Sequence, residues 1–264
     1  MSKREIVKQE EAGAIATAGE IQSMFGQDKP QIPIDALPPA IKIMRESPMF
    51  QMPGQDVPVK EFVGHIIHWH NANQYYMNPF GEGESPVPDC LSSDGIRPDG
   101  GTNPLKGPCR TCHLNTFGSA DNGEGTGKAC ANTIRLYILL EGEILPCLLR
   151  CPPSSMGKKD SLMTWLTSAG NQAAKLGFGA AYQPLKVKFS LRKKDFKSGM
   201  SASAVELTTI GHAETMDEMR GLAEITQTFR KFYCGKVAEV MATESVDAVA
   251  VETETDNETD NIPI

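Results

Sequence analysis

The chain has 264 residues, is 40% apolar and carries a formal net charge of −7. That is enough apolar material for one elaborated core, whereas no run of about eighteen apolar residues offers a membrane span, so no membrane partner is expected. The charged start MSKREIVKQEEAG has no apolar h-region, which places the protein in the cytoplasm, where its seven cysteines argue for metal binding or free thiols over disulfides.

Residues 1–30 are polar and are expected as an extension outside the core, with the folded domain spanning 31–238. From Gln31 to Pro58 the prolines are dense (Pro33, Pro38, Pro39, Pro48, Pro53, Pro58), which suits extended, edge-like or irregular backbone. Strict alternation over EFVGHIIHWHNANQYYM predicts a strand with Val63, His65, Ile67 and Trp69 on one face. Phe62, Gly64, Ile66 and His68 then fall on the other. By that reading His68 and His70 share a face and His65 opposes them, so the three do not form a metal trio.

Residues 79–130 are crowded with Gly, Pro, Asp, Ser and Asn and hold few large apolar groups. Such a segment cannot order itself by burial and needs a staple. Regular structure returns with TIRLYILLEGEILPCLLRCP, two apolar strands about a Glu-Gly-Glu turn. Pro152 and Pro153 end the second strand, and Leu162, Trp165, Leu166 and Ala169 mark one face of a helix. PLKVKFSLRKKDF is a strand with one apolar and one basic side, SASAVELTTIGHA a weaker strand, and MDEMRGLAEITQTFRKFYCG an amphipathic helix. Five strands, a helix before the fourth and a helix at the end give a β-rich α+β expectation: a five-stranded Greek-key barrel of the oligonucleotide-binding (OB) type.

The net charge conceals a segregation. Residues 241–264 hold seven acids and no base, so the remainder of the chain is neutral, whereas Lys128–Lys197 holds twelve Lys and Arg against four Asp and Glu. A basic middle is the distribution a polyanion requires.

Cys90, Cys109, Cys112 and Cys130 follow the pattern C-x18-C-x2-C-x17-C inside the segment that lacks apolar content, so the insertion is drawn at about 82–132. The C-x2-C pair sets two thiolates on one tight turn, and two more complete a tetrahedron. Four soft ligands and no open position favour a structural Zn²⁺, ahead of an iron–sulfur cluster. Metal binding to such a site contributes on the order of 10 kcal/mol of folding energy. His113 is an alternative ligand, while Cys147 and Cys151 read as core residues.

Single-stranded nucleic acid is held by cations that track phosphates and by aromatic faces on which bases stack. The candidate contacts are Lys186, Lys188, Arg192, Lys193, Lys194 and Lys197 on the basic strand and its turn, with Phe196 inside that turn. Arg135 and Tyr137 share the non-core face of another strand, and Trp69, Tyr75 and Tyr76 lie toward the end of the first.

The tail ETETDNETDNIPI alternates acids with Thr and Asn, so residues 239–264 are expected to be disordered. Its tip, Asp260-Asn261-Ile262-Pro263-Ile264, resembles the acidic C-terminus of bacterial single-stranded DNA-binding proteins, with Ile where that family ends in Phe. The resemblance implies that Asp260, Ile262, Pro263 and Ile264 dock onto replication or recombination proteins and that the acidic stretch competes with DNA. The cysteine block resembles phage helix-destabilising proteins, which carry a zinc module within an OB fold. Cys109-Arg110-Thr111-Cys112, Phe117-Gly118-Ser119 and Gly127-Lys128-Ala129-Cys130 also resemble a phage and mobile-element family. These likenesses imply a single-stranded DNA-binding protein of a bacterial cell or phage-infected host, active in DNA replication or recombination. No P-loop, G-x-S-x-G, H-E-x-x-H or deaminase signature is present, so no enzymatic activity is expected. The competing classes are a zinc-ribbon adaptor that binds protein and a nucleic-acid-processing enzyme.

Overall fold

The computed structural model describes residues 38–44, 47–77, 87–120, 127–195 and 201–232. The chain divides into two units at Ala36/Leu37, and the first unit lies outside the described residues. The strands are β1 (Ala40–Ile43), β2 (Phe50–Gln51), β3 (Glu61–Tyr75), β4 (Cys90–Ser92), β5 (Ala131–Leu140), β6 (Cys147–Cys151), β7 (Leu185–Asp195) and β8 (Ser201–His212). The helices are α1 (Ser161–Lys175) and α2 (Met216–Phe232).

Among the described residues the strands make one mixed sheet in the order β2-β1-β6-β5-β3-β7-β8, curled into a half-barrel, with β4 added to the distal part of β3. Only β1 against β6 is parallel. The five expected strands are β3, β5, β6, β7 and β8, whereas β1, β2 and β4 are additions of two to four residues.

The inner face of the curl carries Ile66, Leu136, Ile138, Leu149, Val187 and Phe189, all inaccessible to solvent. Helix α1 seals this face with Leu162, Trp165, Ala169 and Ala173, the spacing of one helical stripe. Phe62 stacks on Phe189, with ring centroids 4.6 Å apart. Trp165 Nε1 donates to Thr209 Oγ1 at 2.9 Å, which donates to Gln172 Oε1 at 2.7 Å. The indole N–H is thereby satisfied inside the apolar layer.

The outer face is covered in part by α2, which lays Leu222 and Phe229 on Ile67, Tyr137, Leu139 and Leu148. Its start is a capping box: Glu218 N donates to Thr215 Oγ1 at 3.2 Å, and Thr215 N donates back to Glu218 Oε2 at 3.2 Å. With cover on both sides, β5 is buried continuously from Ile134 to Leu139.

The outer edge of β8 meets hydroxyls in place of another strand. Val205 N donates to Ser155 Oγ and Leu207 N to Ser161 Oγ, both at 2.9 Å. Ser161 Oγ returns a bond to Leu207 O at 2.8 Å, and Ser154 Oγ donates to Ser203 O at 2.7 Å. An edge that would otherwise template pairing is thus occupied, and the curl closes toward the turn after β6.

One register shift corrects the alternation expected for β3. The β3–β5 ladder skips Ile67 between Ile66 and His68, a bulge that adds one residue to one strand. Ile67 and His68 therefore both face outward, and Trp69 turns inward against the core. His65, paired with outward-facing Leu139, shares its face with His68 and His70.

Candidate nucleic-acid interface and four-thiol module

The β5–β6 hairpin pairs Ile138 with Cys147, and counting outward from the turn pairs Tyr137 with Leu148 and Arg135 with Arg150. Across the other edge of β5, Tyr137 pairs with His68 and Arg135 with His70. Register partners share a face, so the outer face carries a row of His70, Arg135 and Arg150 beside a row of His68, Tyr137 and Leu148. Arg135 is only 5% exposed. Tyr76, just beyond the end of β3, feels both guanidiniums, although burial outweighs them and raises its phenol pKa.

Aromatic contacts knit the rows together. The His70 and Tyr137 rings stack at 5.6 Å, with His70 Nε2 3.2 Å from Tyr137 Oη. Tyr137 contacts Phe229 of α2 at 4.5 Å. Burial keeps the imidazoles neutral: His68 is pulled down to about 4 by desolvation, then by His70 and Arg230. Desolvation likewise lowers His70, with the Arg135 charge adding to it.

The sheet divides the expected contacts. Arg135 and Tyr137 lie on the outer face with Tyr76 nearby, but Trp69 packs against the inner core. Tyr75 pairs with Cys90 and lines the cysteine cavity. On β7 each cation has a carboxylate: Lys186–Glu141 (3.7 Å), Lys188–Glu61 (3.4 Å) and Lys193–Asp195 (3.4 Å). Arg192 reaches Asp160 (3.1 Å) and Glu206 (2.9 Å), and Lys194 also reaches Asp160 (3.6 Å). The pairs with Glu61, Glu141 and Asp195 are exposed and weak, yet together with those at buried Asp160 they make this strand less cationic than its sequence reads. Phe196, Lys197, Asp260, Ile262, Pro263 and Ile264 lie outside the described residues.

Arg150 escaped the sequence reading because it stands in a run, CLLRC, whose apolar residues face both ways. Only the observed register finds it: counted outward from the turn that Glu143 N closes on Leu140 O, the residue opposite Arg135 would be Leu148.

Cys90, Cys109, Cys112 and Cys130 meet along one cavity of about 20 Å³, with Tyr75, Leu105 and Leu114 also in its wall. Each is delivered by local hydrogen bonding. Cys90 opens β4, while Cys109 and Cys112 flank a 3₁₀ turn in which Cys112 N donates to Cys109 O at 3.2 Å. Cys109 N donates to Ile96 O and Cys130 N to Leu114 O, both at 2.8 Å. Burial raises the Cys90 thiol, and Leu105 N, which donates to Cys90 Sγ at 3.5 Å, only partly opposes it. Burial pushes the Cys130 thiol up to about 12, and the other three sulfurs add to the effect. As placed, no group of three or more His, Cys, Asp or Glu among the described residues is arranged to hold a metal ion. The sulfurs share a cavity without standing at ligating separations. His113 is exposed and does not line the cavity, and Cys147 and Cys151 are buried in the inner core.

Among the described residues no helix is long and apolar enough to cross a membrane. Compared with known proteins, the chain matches no family model, no curated protein and no solved structure.

Proposed function

We propose that this protein binds single-stranded DNA with little sequence preference, through an OB-type barrel whose β5–β6 outer face receives the strand. The observation that carries the reading is the part-exposed Arg150, set across the hairpin from the buried Arg135 and beside the part-exposed His70 and Tyr76. Guanidiniums offer forked donors to phosphate, and aromatic rings offer faces to bases without regard to identity. The order β6-β5-β3-β7-β8, with α1 between β6 and β7 and the β8 edge meeting the turn after β6, supports the OB reading. In such barrels the second and third strands and the loops beside them bind oligonucleotides; here those strands are β5 and β6. The protein is read as a binding protein and not an enzyme.

Within this reading Cys90, Cys109, Cys112 and Cys130 hold a structural Zn²⁺. Four thiols on one cavity, one already accepting an amide N–H, fit a closed tetrahedral site. Closing it requires the sulfurs to draw together by rotation about their side chains. The cation supplies the charge that lets buried thiols ionise. The acidic tail, residues 239–264, is read as the segment that recruits replication or recombination proteins in the bacterial cytoplasm.

Fluorescence anisotropy with a labelled oligo(dT) tests the function. Salt-sensitive binding that prefers single strands to duplex is expected. Arg150→Gln should weaken it and flatten the salt dependence by about 0.7 per lost phosphate contact. Equal affinity for duplex, or no binding, rejects the reading.

A further inference from the structure

The cysteine module presents an aromatic ring that its own fold does not require. Ser119 N donates to Thr116 O at 3.1 Å, and Gly118, the third residue of this turn, has φ +84°. Those are the marks of a type II turn, which demands glycine at that position and leaves the second position undemanding. The second position is Phe117, half exposed at 48%.

The turn beneath Phe117 is anchored. Gly118 N donates to Gly127 O at 2.9 Å, while Ser119 Oγ donates to Leu114 O at 2.9 Å and accepts from Ala129 N at 3.0 Å. The ring is oriented too. Lys128 Nζ stands 4.8 Å from its centroid and is held by Asn115 Oδ1 at 3.2 Å and Asn132 Oδ1 at 2.9 Å. A cation fixed by two amides thus fixes an exposed ring, which costs solvent exposure of apolar surface with no return in core packing.

We propose that Phe117 is a base-stacking residue, a second contact point for single-stranded nucleic acid on the cysteine module, with Lys128 as its positioning residue. This rests on the proposed strand-binding function and adds a contact point on the module, apart from the β5–β6 outer face. The ligand is an unpaired nucleobase of any identity, since every base has a π-face, and stacking on one ring is worth roughly a 5- to 150-fold change in affinity.

The test is anisotropy with the full chain and two labelled oligonucleotides of equal length, one of thymidines and one of abasic residues. Phe117→Ala should weaken oligo(dT) binding by a factor in that range, Phe117→Tyr should retain it, and neither should change affinity for the abasic strand or the slope against salt. Metal content and the urea midpoint of Phe117→Ala, compared with wild type, separate loss of stacking from damage to the module. Wild-type binding with Phe117→Ala unchanged overturns the stacking role and leaves the function standing. Equal loss on both strands overturns it in favour of a structural role. A wild-type chain that binds neither strand overturns both.

Discussion

Asn132 Nδ2 donates to Asn73 Oδ1 at 2.7 Å, and the two residues are also register partners in the β5–β3 ladder. The link continues on both sides: Lys128 Nζ donates to Asn132 Oδ1, and Asn73 Nδ2 donates to Gly95 O at 3.3 Å. Two loops of the cysteine module are thereby tied to the sheet through one pair of amides. Asn132→Ala leaves the buried Asn73 short of a partner and takes from Lys128 one of its two amide acceptors, and is expected to cost about 1–3 kcal/mol. Urea denaturation measures that loss, and an unchanged midpoint would show that the amide pair carries no stability.

Metal removal should act locally. Metal analysis is expected to find one zinc per chain in the wild type and none in Cys109→Ser or Cys112→Ser. Chelation should raise amide exchange across 87–130 while Ile138 and Val187, in the inner core, stay protected. Full zinc retention in both variants would remove these residues from the ligand set.

Asp160 is 9% exposed and draws Arg192 and Lys194 to one carboxylate, which also accepts from Gly157 N at 2.8 Å. Asp160→Asn should cost about 1–2 kcal/mol and loosen Lys194 and Arg192, which keeps Glu206, near the turn end of the β7–β8 hairpin. Stability is therefore expected to fall while low-salt affinity for oligo(dT) rises. A parallel fall in both would show that these cations never reach the nucleic acid.

Acid should weaken the fold through its histidines. Burial lowers His65, His68 and His70, and His68 falls from 6.5 to about 4. Between those values the unfolded chain binds more protons than the folded one, so stability rises with pH. It is complete above the ordinary value of 6.5 and is lost as pH falls toward about 4. Urea midpoints should decline across this window, and His68→Phe, which keeps a ring against Tyr137 and Phe229, should flatten the decline. A variant as steep as wild type would assign the dependence to other groups.

Much of the curled sheet was legible because it obeys simple rules. β7 alternates, β5 and β6 are apolar runs about a turn, α1 repeats its apolar residues along one stripe, and the four cysteines stand in the one long segment with few large apolar groups. The strands that escaped are too short for a period to register: β2 has two residues, β4 three and β1 four. The bulge at Ile67 escaped because an inserted residue has no composition of its own. It inverted the assignment of Trp69 and placed His65 with its two neighbours. Ion pairing on β7 was equally hidden, since Glu61, Glu141 and Asp160 are distant in sequence from the lysines and arginine they meet.

The serine hydroxyls along β8 bear on how the curled sheet behaves as a mechanical object. A tube closed by a full ladder has its girth set by the number of strands, and widening it means breaking several backbone bonds in concert. Here the seam is stitched by the side chains of Ser154, Ser155 and Ser161, each able to swivel at one torsion. Loosening of the curl along that line would therefore break side-chain bonds alone and leave every strand with its backbone neighbours.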